Sequence, residues 1–123
     1  MPRKNQIGQW GENLACDMLI AKGYSIIGRN IRIAHVEVDI MAMTGNRIAV
    51  VEVKTRQDGD FDPTFAMTTD KIRRLARAGA AYVCMNRLPH EIQIDLVTVV
   101  GSPESGHTVT HYPDHYLPPA KRR

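Results

Sequence analysis

The chain reads as an α/β protein, a mixed sheet of four to five strands flanked by helices, on three observations. Two stretches, residues 7–19 and 72–83, carry apolar residues at helical spacing, whereas those around 37–43, 48–55 and 91–100 alternate or run apolar at strand length. Gly45-Asn46, between the first two of those strands, marks a two-residue hairpin turn. The second helical stretch separates the third strand from the fourth, and such a connection implies a parallel, right-handed crossover. The expected order is helix, three strands, helix, strand, an αβββαβ core. At 123 residues, 43% of them apolar, the chain has material for one compact core. Residues 1–112 are expected to form that single domain and residues 113–123 a flexible tail, since Leu117-Pro118-Pro119-Ala120-Lys121-Arg122-Arg123 is proline-rich and basic.

Ile7, Trp10, Leu14, Ala15, Met18 and Leu19 form the stripe of the first helix, and Gly23 supplies its C-terminal cap. Glu12 lies at the flank of that stripe, placed either to reach around the helix edge or to remain a solvated acid. Tyr24 to Gly28 reads as a short strand, Arg29-Asn30-Ile31-Arg32 as a link, and Glu37 to Met43 as the next strand, returning through the hairpin as Ile48 to Thr55. Arg56 to Thr69, with Asp58-Gly59-Asp60 and Pro63, has loop composition and is a candidate flap. Thr69 is expected to cap the second helix, with Asp70 in its first turn and Ile72, Leu75, Ala76, Gly79, Tyr82 and Val83 as its apolar stripe. Glu91 to Val100 reads as the fourth core strand, Gly101 to Gly106 as a turn, and His107 to Tyr112 as a marginal edge strand beyond which order fades.

The hairpin carries the chemistry. If Gly45 and Asn46 are the loop residues, cross-strand partners sum to 91, so Asp39 faces Glu52, Glu37 faces Lys54, and all four share one face. Three carboxylates held together repel, and one lysine has too little charge to compensate them. A hard divalent cation, Mg²⁺ or Mn²⁺, is the natural remainder, because oxygen ligands suit it. The alternative is a salt-bridge patch on a solvated sheet face. Against that alternative, Ile48-Ala49-Val50-Val51-Glu52-Val53 has the pattern of a strand buried on both faces, which Glu52 and Lys54 interrupt. Lys71, Arg73, Arg74 and Arg77 share one arc of the second helix, either as a solvated face or as cations for phosphates.

Other features bound the reading. Sixteen Lys and Arg against thirteen acids give a net charge of +3, compatible with a polyanionic partner. No stretch approaches the length of a membrane span, and Met1-Pro2-Arg3-Lys4-Asn5 leads into a polar helix, so the expected location is the cytoplasm with no membrane partner. Cys16 and Cys84 lack metal-type spacing and are expected to be reduced packing residues. His107, His111 and His115 are spaced by four, but Thr108, Val109, Thr110 and Pro113 argue for extended chain, which separates each pair by roughly 13 Å and disfavours zinc. His35, near the acidic hairpin, is either a substrate contact or, as is more usual for a loop histidine without a defined partner, incidental.

Together with this order of elements, Gly8-Gln9-Trp10-Gly11-Glu12, Gly23-Tyr24, Arg29-Asn30-Ile31-Arg32, Glu37-Val38-Asp39, Val51-Glu52-Val53-Lys54-Thr55-Arg56 and Lys71-Ile72-Arg73-Arg74-Leu75 resemble the YraN-like family. With Asp39 and Glu52-Val53-Lys54 on adjacent strands, the chain resembles more broadly the PD-(D/E)XK, or restriction-endonuclease-like, nucleases within which that family falls, and the likeness covers roughly residues 5 to 100. Val36 stands where the family pattern has glycine. The resemblance implies a restriction-endonuclease-like core in which Asp39 and Glu52 bind Mg²⁺ or Mn²⁺, Glu12 supports the metal, and Lys54 positions or activates the attacking water. It implies supporting places for Glu37 and Thr55, with Thr55 and Lys71 as phosphate contacts. The expected activity is endonucleolytic hydrolysis of nucleic acid, chiefly DNA, including branched or damaged forms, with a homodimer as one way to engage two strands. A non-catalytic nucleic-acid-binding module of the same fold is the runner-up, and a structural partner protein with a charged sheet face is third.

Overall fold

The computed structural model describes residues 4–57 and 67–116. Helix α1 (Lys4–Ala21) leads into strands β1 (Ser25–Ile33), β2 (Val36–Thr44) and β3 (Arg47–Arg56); α2 (Thr69–Met85), β4 (Glu91–Ser102) and β5 (Gly106–Tyr116) follow. The five strands lie in chain order across one mixed sheet, with β3 and β4 parallel and every other neighbouring pair antiparallel. A helix between β3 and β4 is what permits the parallel pair, because a short turn cannot return the chain to the same end of a sheet.

The helices cover opposite faces. Ala15, Cys16 and Leu19 of α1 pack with Ile40, Ala49, Val51, Val97 and Val99, whereas Leu75 and Ala78 of α2 pack with Val36, Val38, Met41, Ile48, Val50, Ile94 and Leu96. Successive residues of β3 thus feed different cores, which explains its nearly unbroken apolar run. At Gly79 a Cβ would lie 2.8 Å from Val50 Cγ2, so α2 sits against β3 at a spacing only glycine allows. Gly23, at φ 95°, ends α1: its N–H bonds Ile20 O and the Tyr24 N–H bonds Leu19 O, the paired bonds of a Schellman cap.

The hairpin register follows the turn. Thr44 pairs with Arg47 and Ile40 with Val51, all partners summing to 91, and Gly45 alone in the turn has positive φ, as the first residue of a type II′ turn requires. Strict alternation then fails at Asp39: Val38 belongs to the core under α2 and Ile40, two residues on, to the core under α1. Its neighbour β1 shares the break. Asn30, at φ 52°, lies between the pairs Arg29–Ile40 and Ile31–Val38, abreast of Asp39.

Several expectations need correction. Arg29 to Arg32 is not a link but the second half of β1, joined to β2 by a two-residue turn at Ala34 and His35. Thr68, not Thr69, caps α2, its hydroxyl accepting the Lys71 N–H at 3.1 Å. β5 continues past Pro113 to Tyr116, because Asp114, at φ 50°, turns its N–H onto the Asp95 carboxylate. Cys84 is exposed rather than packed, whereas Cys16 is buried. Most of the candidate flap and residues 117–123 of the tail lie outside the described residues. No described helix is long and apolar enough to cross a membrane.

Candidate active site

Glu52 is the enclosed charge of the hairpin, only 5% exposed on a strand whose neighbours are core residues. Its Oε2 lies 3.1 Å from the Lys54 ammonium, two residues along the same face of β3. Its Oε1 lies 3.5 Å from the Lys71 ammonium, delivered across the layers by the first turn of α2. At that separation Lys71 offsets charge without completing a hydrogen bond, and the buried Oε1 has no hydrogen-bond partner among the described residues. An unsatisfied buried carboxylate oxygen is costly, and the lysine beside each oxygen makes Glu52 the candidate ligand of the hairpin.

Asp39 sits where the β2–β3 ladder ends. Its Oδ2 accepts the Val53 N–H at 2.8 Å, taking the part a backbone carbonyl would play in a continued ladder. Burial and the negative charge of Glu52 push its carboxyl up to about 7, with Glu12 adding to the rise; the Val53 N–H and the Lys71 ammonium oppose it. Glu12, 14% exposed at its side chain, comes from α1: Asn30 Nδ2 donates to its Oε1 at 3.0 Å, and Arg29 Nη2 lies 3.5 Å from the same oxygen. Arg29 Nη2 also donates to Asn13 Oδ1 at 2.8 Å. Side chains from both sheet faces therefore meet at the end of the ladder: Glu52, Lys54 and Lys71 under α2, Glu12 under α1, and Asp39 between them.

The expected pairing of Glu37 with Lys54 is not formed. The printed ladder of β2 with β3 stops at Ile40 and Val51, the alternation break at Asp39 intervenes, and Lys54 turns to Glu52. Glu37 is exposed and pairs through its backbone with Arg32 on β1; it makes no ion pair among the described residues. Thr55 faces α1, its side chain against the backbone of Gly11, where any larger residue would collide with it. Val36 is buried among the residues under α2. The four cations of α2 also divide, because Lys71 turns inward to Glu52 while Arg73, Arg74 and Arg77 stay exposed. Arg73 lies 4.0 Å from Asp70 across one helical turn.

A second buried carboxylate escaped the sequence reading. Asp95 on β4, wholly buried, accepts bonds from His111 Nε2 at 2.8 Å, Tyr24 Oη at 2.9 Å, Gln93 Nε2 at 2.8 Å and the Asp114 N–H at 2.9 Å. Burial alone would raise its pKa, but these donors, His111 foremost, hold it below the usual carboxylate value. The Lys22 ammonium lies 2.8 Å from His111 Nδ1, extending the network to the surface. Both Asp95 oxygens are satisfied, so this is a buried structural network, in contrast to Glu52, whose Oε1 lacks a hydrogen bond among the described residues. The signal was Asp95 interrupting Ile94, Leu96 and Val97, the same signal that pointed to Glu52. The other two histidines of β5 have separate neighbours, His107 stacking edgewise on Trp10 and His115 on Tyr112, each at 5.4 Å.

The model of the uncharacterised protein family UPF0102 matches residues 11–99, a span that contains Glu12, Asp39, Glu52, Lys54 and Lys71. The chain belongs to the UPF0102 family. A UPF0102 protein of Bacteroides fragilis is 36% identical over 120 residues, covering 97% of this chain and 98% of its own length. One of Bacteroides thetaiotaomicron is 37% identical over 121 residues, with the same two shares. One of Flavobacterium psychrophilum is 39% identical over 100 residues, covering 80% of this chain and 84% of its own. The UPF0102 match thus runs from α1 through β4, bracketing Glu12 at one end and Thr98 at the other.

The donor set suits a hard divalent cation that keeps several waters. Two carboxylates, Asp39 and Glu52, would hold it, the second through an oxygen that lacks a partner, and such ions commonly take one or two carboxylates plus a substrate phosphate. Among the described residues no three acids, histidines or cysteines close into a complete cage. Glu12 therefore stands as a supporting charge.

Proposed function

We propose that this chain is a metal-dependent nuclease that hydrolyses phosphodiesters of nucleic acid, DNA first among them, on a restriction-endonuclease-like version of its α/β fold. The observation that carries the reading is Glu52: a buried carboxylate with a lysine at each oxygen, one oxygen lacking a hydrogen bond, beside an Asp39 whose carboxyl is strongly perturbed. A perturbed aspartate beside a buried, lysine-flanked glutamate suits phosphoryl hydrolysis. Asp39 and Glu52 would hold Mg²⁺ or Mn²⁺, which when bound supplies Lewis-acid stabilisation of a phosphoryl oxygen.

The chain's own residues supply the remainder. Lys54 is placed to stabilise an anionic nucleophile or the charge that develops on phosphorus. Lys71 can exchange its long Glu52 contact for a phosphate oxygen. Arg73, Arg74 and Arg77 face solvent, where they can neutralise backbone phosphates without reading sequence.

A second reading keeps the same surface without turnover. It is favoured by the incomplete acid cage and by the proton that Asp39 retains near neutral pH. Incubation with single-stranded, duplex and branched DNA and with RNA, in Mg²⁺ or Mn²⁺, separates the two when run beside Asp39→Ala and Lys54→Ala. Cleavage by the native chain that both substitutions abolish is the expected result. Binding that weakens steeply with salt, without cleavage under any condition, would support the binding module instead.

A further inference from the structure

We propose that Arg29 and Asn30 are positioning residues that hold the Glu12 carboxylate as a supporting charge beside the Asp39–Glu52 site, an inference that rests on the nuclease reading above. On a regular strand consecutive side chains point to opposite faces, so Arg29 and Asn30 should not reach one partner. Here both do: Asn30 Nδ2 donates to Glu12 Oε1 at 3.0 Å and Arg29 Nη2 lies 3.5 Å from the same oxygen. The left-handed backbone of Asn30, φ 52°, coincides with this departure from alternation. Among residues bearing a Cβ, asparagine is one of the few that tolerate that conformation, and strained backbone of this kind gathers at functional sites.

The position of the strain matters as much as its presence. Asn30 lies between the β1–β2 pairs Arg29–Ile40 and Ile31–Val38, so the residue that grips Glu12 is abreast of Asp39. Glu12 is also fixed from its own helix: Gly11 packs on Thr55 so closely that no side chain fits between them, which pins this turn of α1 to the end of β3. Arg29 is braced in turn by its 2.8 Å bond to Asn13 Oδ1, one residue beyond Glu12. An ordinary surface ion pair would need none of this. Glu12 is only 14% exposed at its side chain, and its shorter bond comes from a neutral amide on a left-handed residue. Fixing an acid that acts beside a cation is the work that outer partners do around metal ligands.

Isothermal titration of the full chain with Mn²⁺ at pH 8 tests this without reference to cleavage. Asn30→Asp keeps a residue tolerant of the left-handed backbone but turns the donor into a carboxylate facing Glu12; it should weaken Mn²⁺ binding by about tenfold or more. Asn30→Gly keeps the backbone free to adopt that conformation and loses only the amide; it should give a smaller loss, and it carries the test if Asn30→Asp does not fold. In a Glu12→Gln background either change should lose most of its effect on Mn²⁺ affinity, because the residue through which it acts no longer carries charge. Native-like Mn²⁺ affinity in folded Asn30→Asp, or an equal loss with and without Glu12, overturns the inference alone. A native chain that binds no Mn²⁺ overturns the reading of the site and the inference with it.

Discussion

At the scale of single residues, Asp39 carries a conflict between folding and chemistry. Its carboxyl is raised from an ordinary value of 3.8 to about 7, so the folded chain keeps a proton that the unfolded chain has already released. Its contribution to stability is therefore complete below the ordinary value and is lost as pH climbs through about 7. Urea unfolding of the native chain should show this contribution falling between pH 5 and pH 8. Asp39→Asn keeps an oxygen for the Val53 N–H and removes the charge; at pH 8 it should stabilise the fold by roughly 1 to 3 kcal/mol while abolishing cleavage. Cleavage by the native chain should rise with pH through the same interval, because only the ionised carboxylate serves a cation. Asp95 runs the other way. Its depressed pKa contributes stability that is present at neutral pH and disappears as acid protonates it, so the two aspartates bound the stable range from opposite sides.

At the scale of elements, the turn between β1 and β2 holds strain that the chain does not need for its register. Ala34 and His35 have φ of 51° and 64°, the pair of positive values that a type I′ turn demands and that Asn-Gly supplies cheaply. Ala34→Asn, or His35→Gly, should raise the unfolding free energy by roughly 0.5 to 1 kcal/mol, read as a higher denaturant midpoint at unchanged slope. The same contrast decides what was legible in the sequence. Gly45-Asn46 and Gly23 announce their conformations by composition, so the β2–β3 register and the end of α1 could be read directly. Ala34, His35 and Asn30 adopt positive φ without glycine, so the first hairpin read as a short strand and a link. The left-handed Asn30, with the alternation break in β2 beside it, defeats period-two arithmetic, which is why Lys54 meets Glu52 on its own strand and the expected pairing with Glu37 does not form. Helical spacing likewise gave the arc of α2 but not its inward turn at Lys71, since that depends on how near Gly79 lets the helix approach β3.

At the scale of the whole molecule, the two faces of the sheet have different duties. Under α1 lie Glu12 and the buried Asp95 network, and under α2 lie Lys54, Lys71 and the outward arginines. If nucleic acid approaches over α2, replacing Arg73, Arg74 and Arg77 together by alanine should weaken binding uniformly across sequences. It should also reduce the dependence of log affinity on log salt by roughly 2 to 3, near 0.7 to 0.9 for each lost phosphate contact. Lys71→Ala should behave differently, lowering the cleavage rate more than the affinity, because its ammonium lies beside Glu52 rather than on the outer face of α2. Nitrocellulose filter binding across a salt series, run beside cleavage rates, distinguishes the two classes of cation.

The bond from the Val53 amide to Asp39 has a practical consequence. A main-chain proton held by a carboxylate is deshielded relative to one held by a carbonyl, and it exchanges with solvent only when the carboxylate lets go. The ¹⁵N–¹H resonance of Val53 is thus an intrinsic gauge of Asp39. It should follow the titration of that side chain, and it should shift when a cation draws the carboxylate away, with no label, substrate or turnover required.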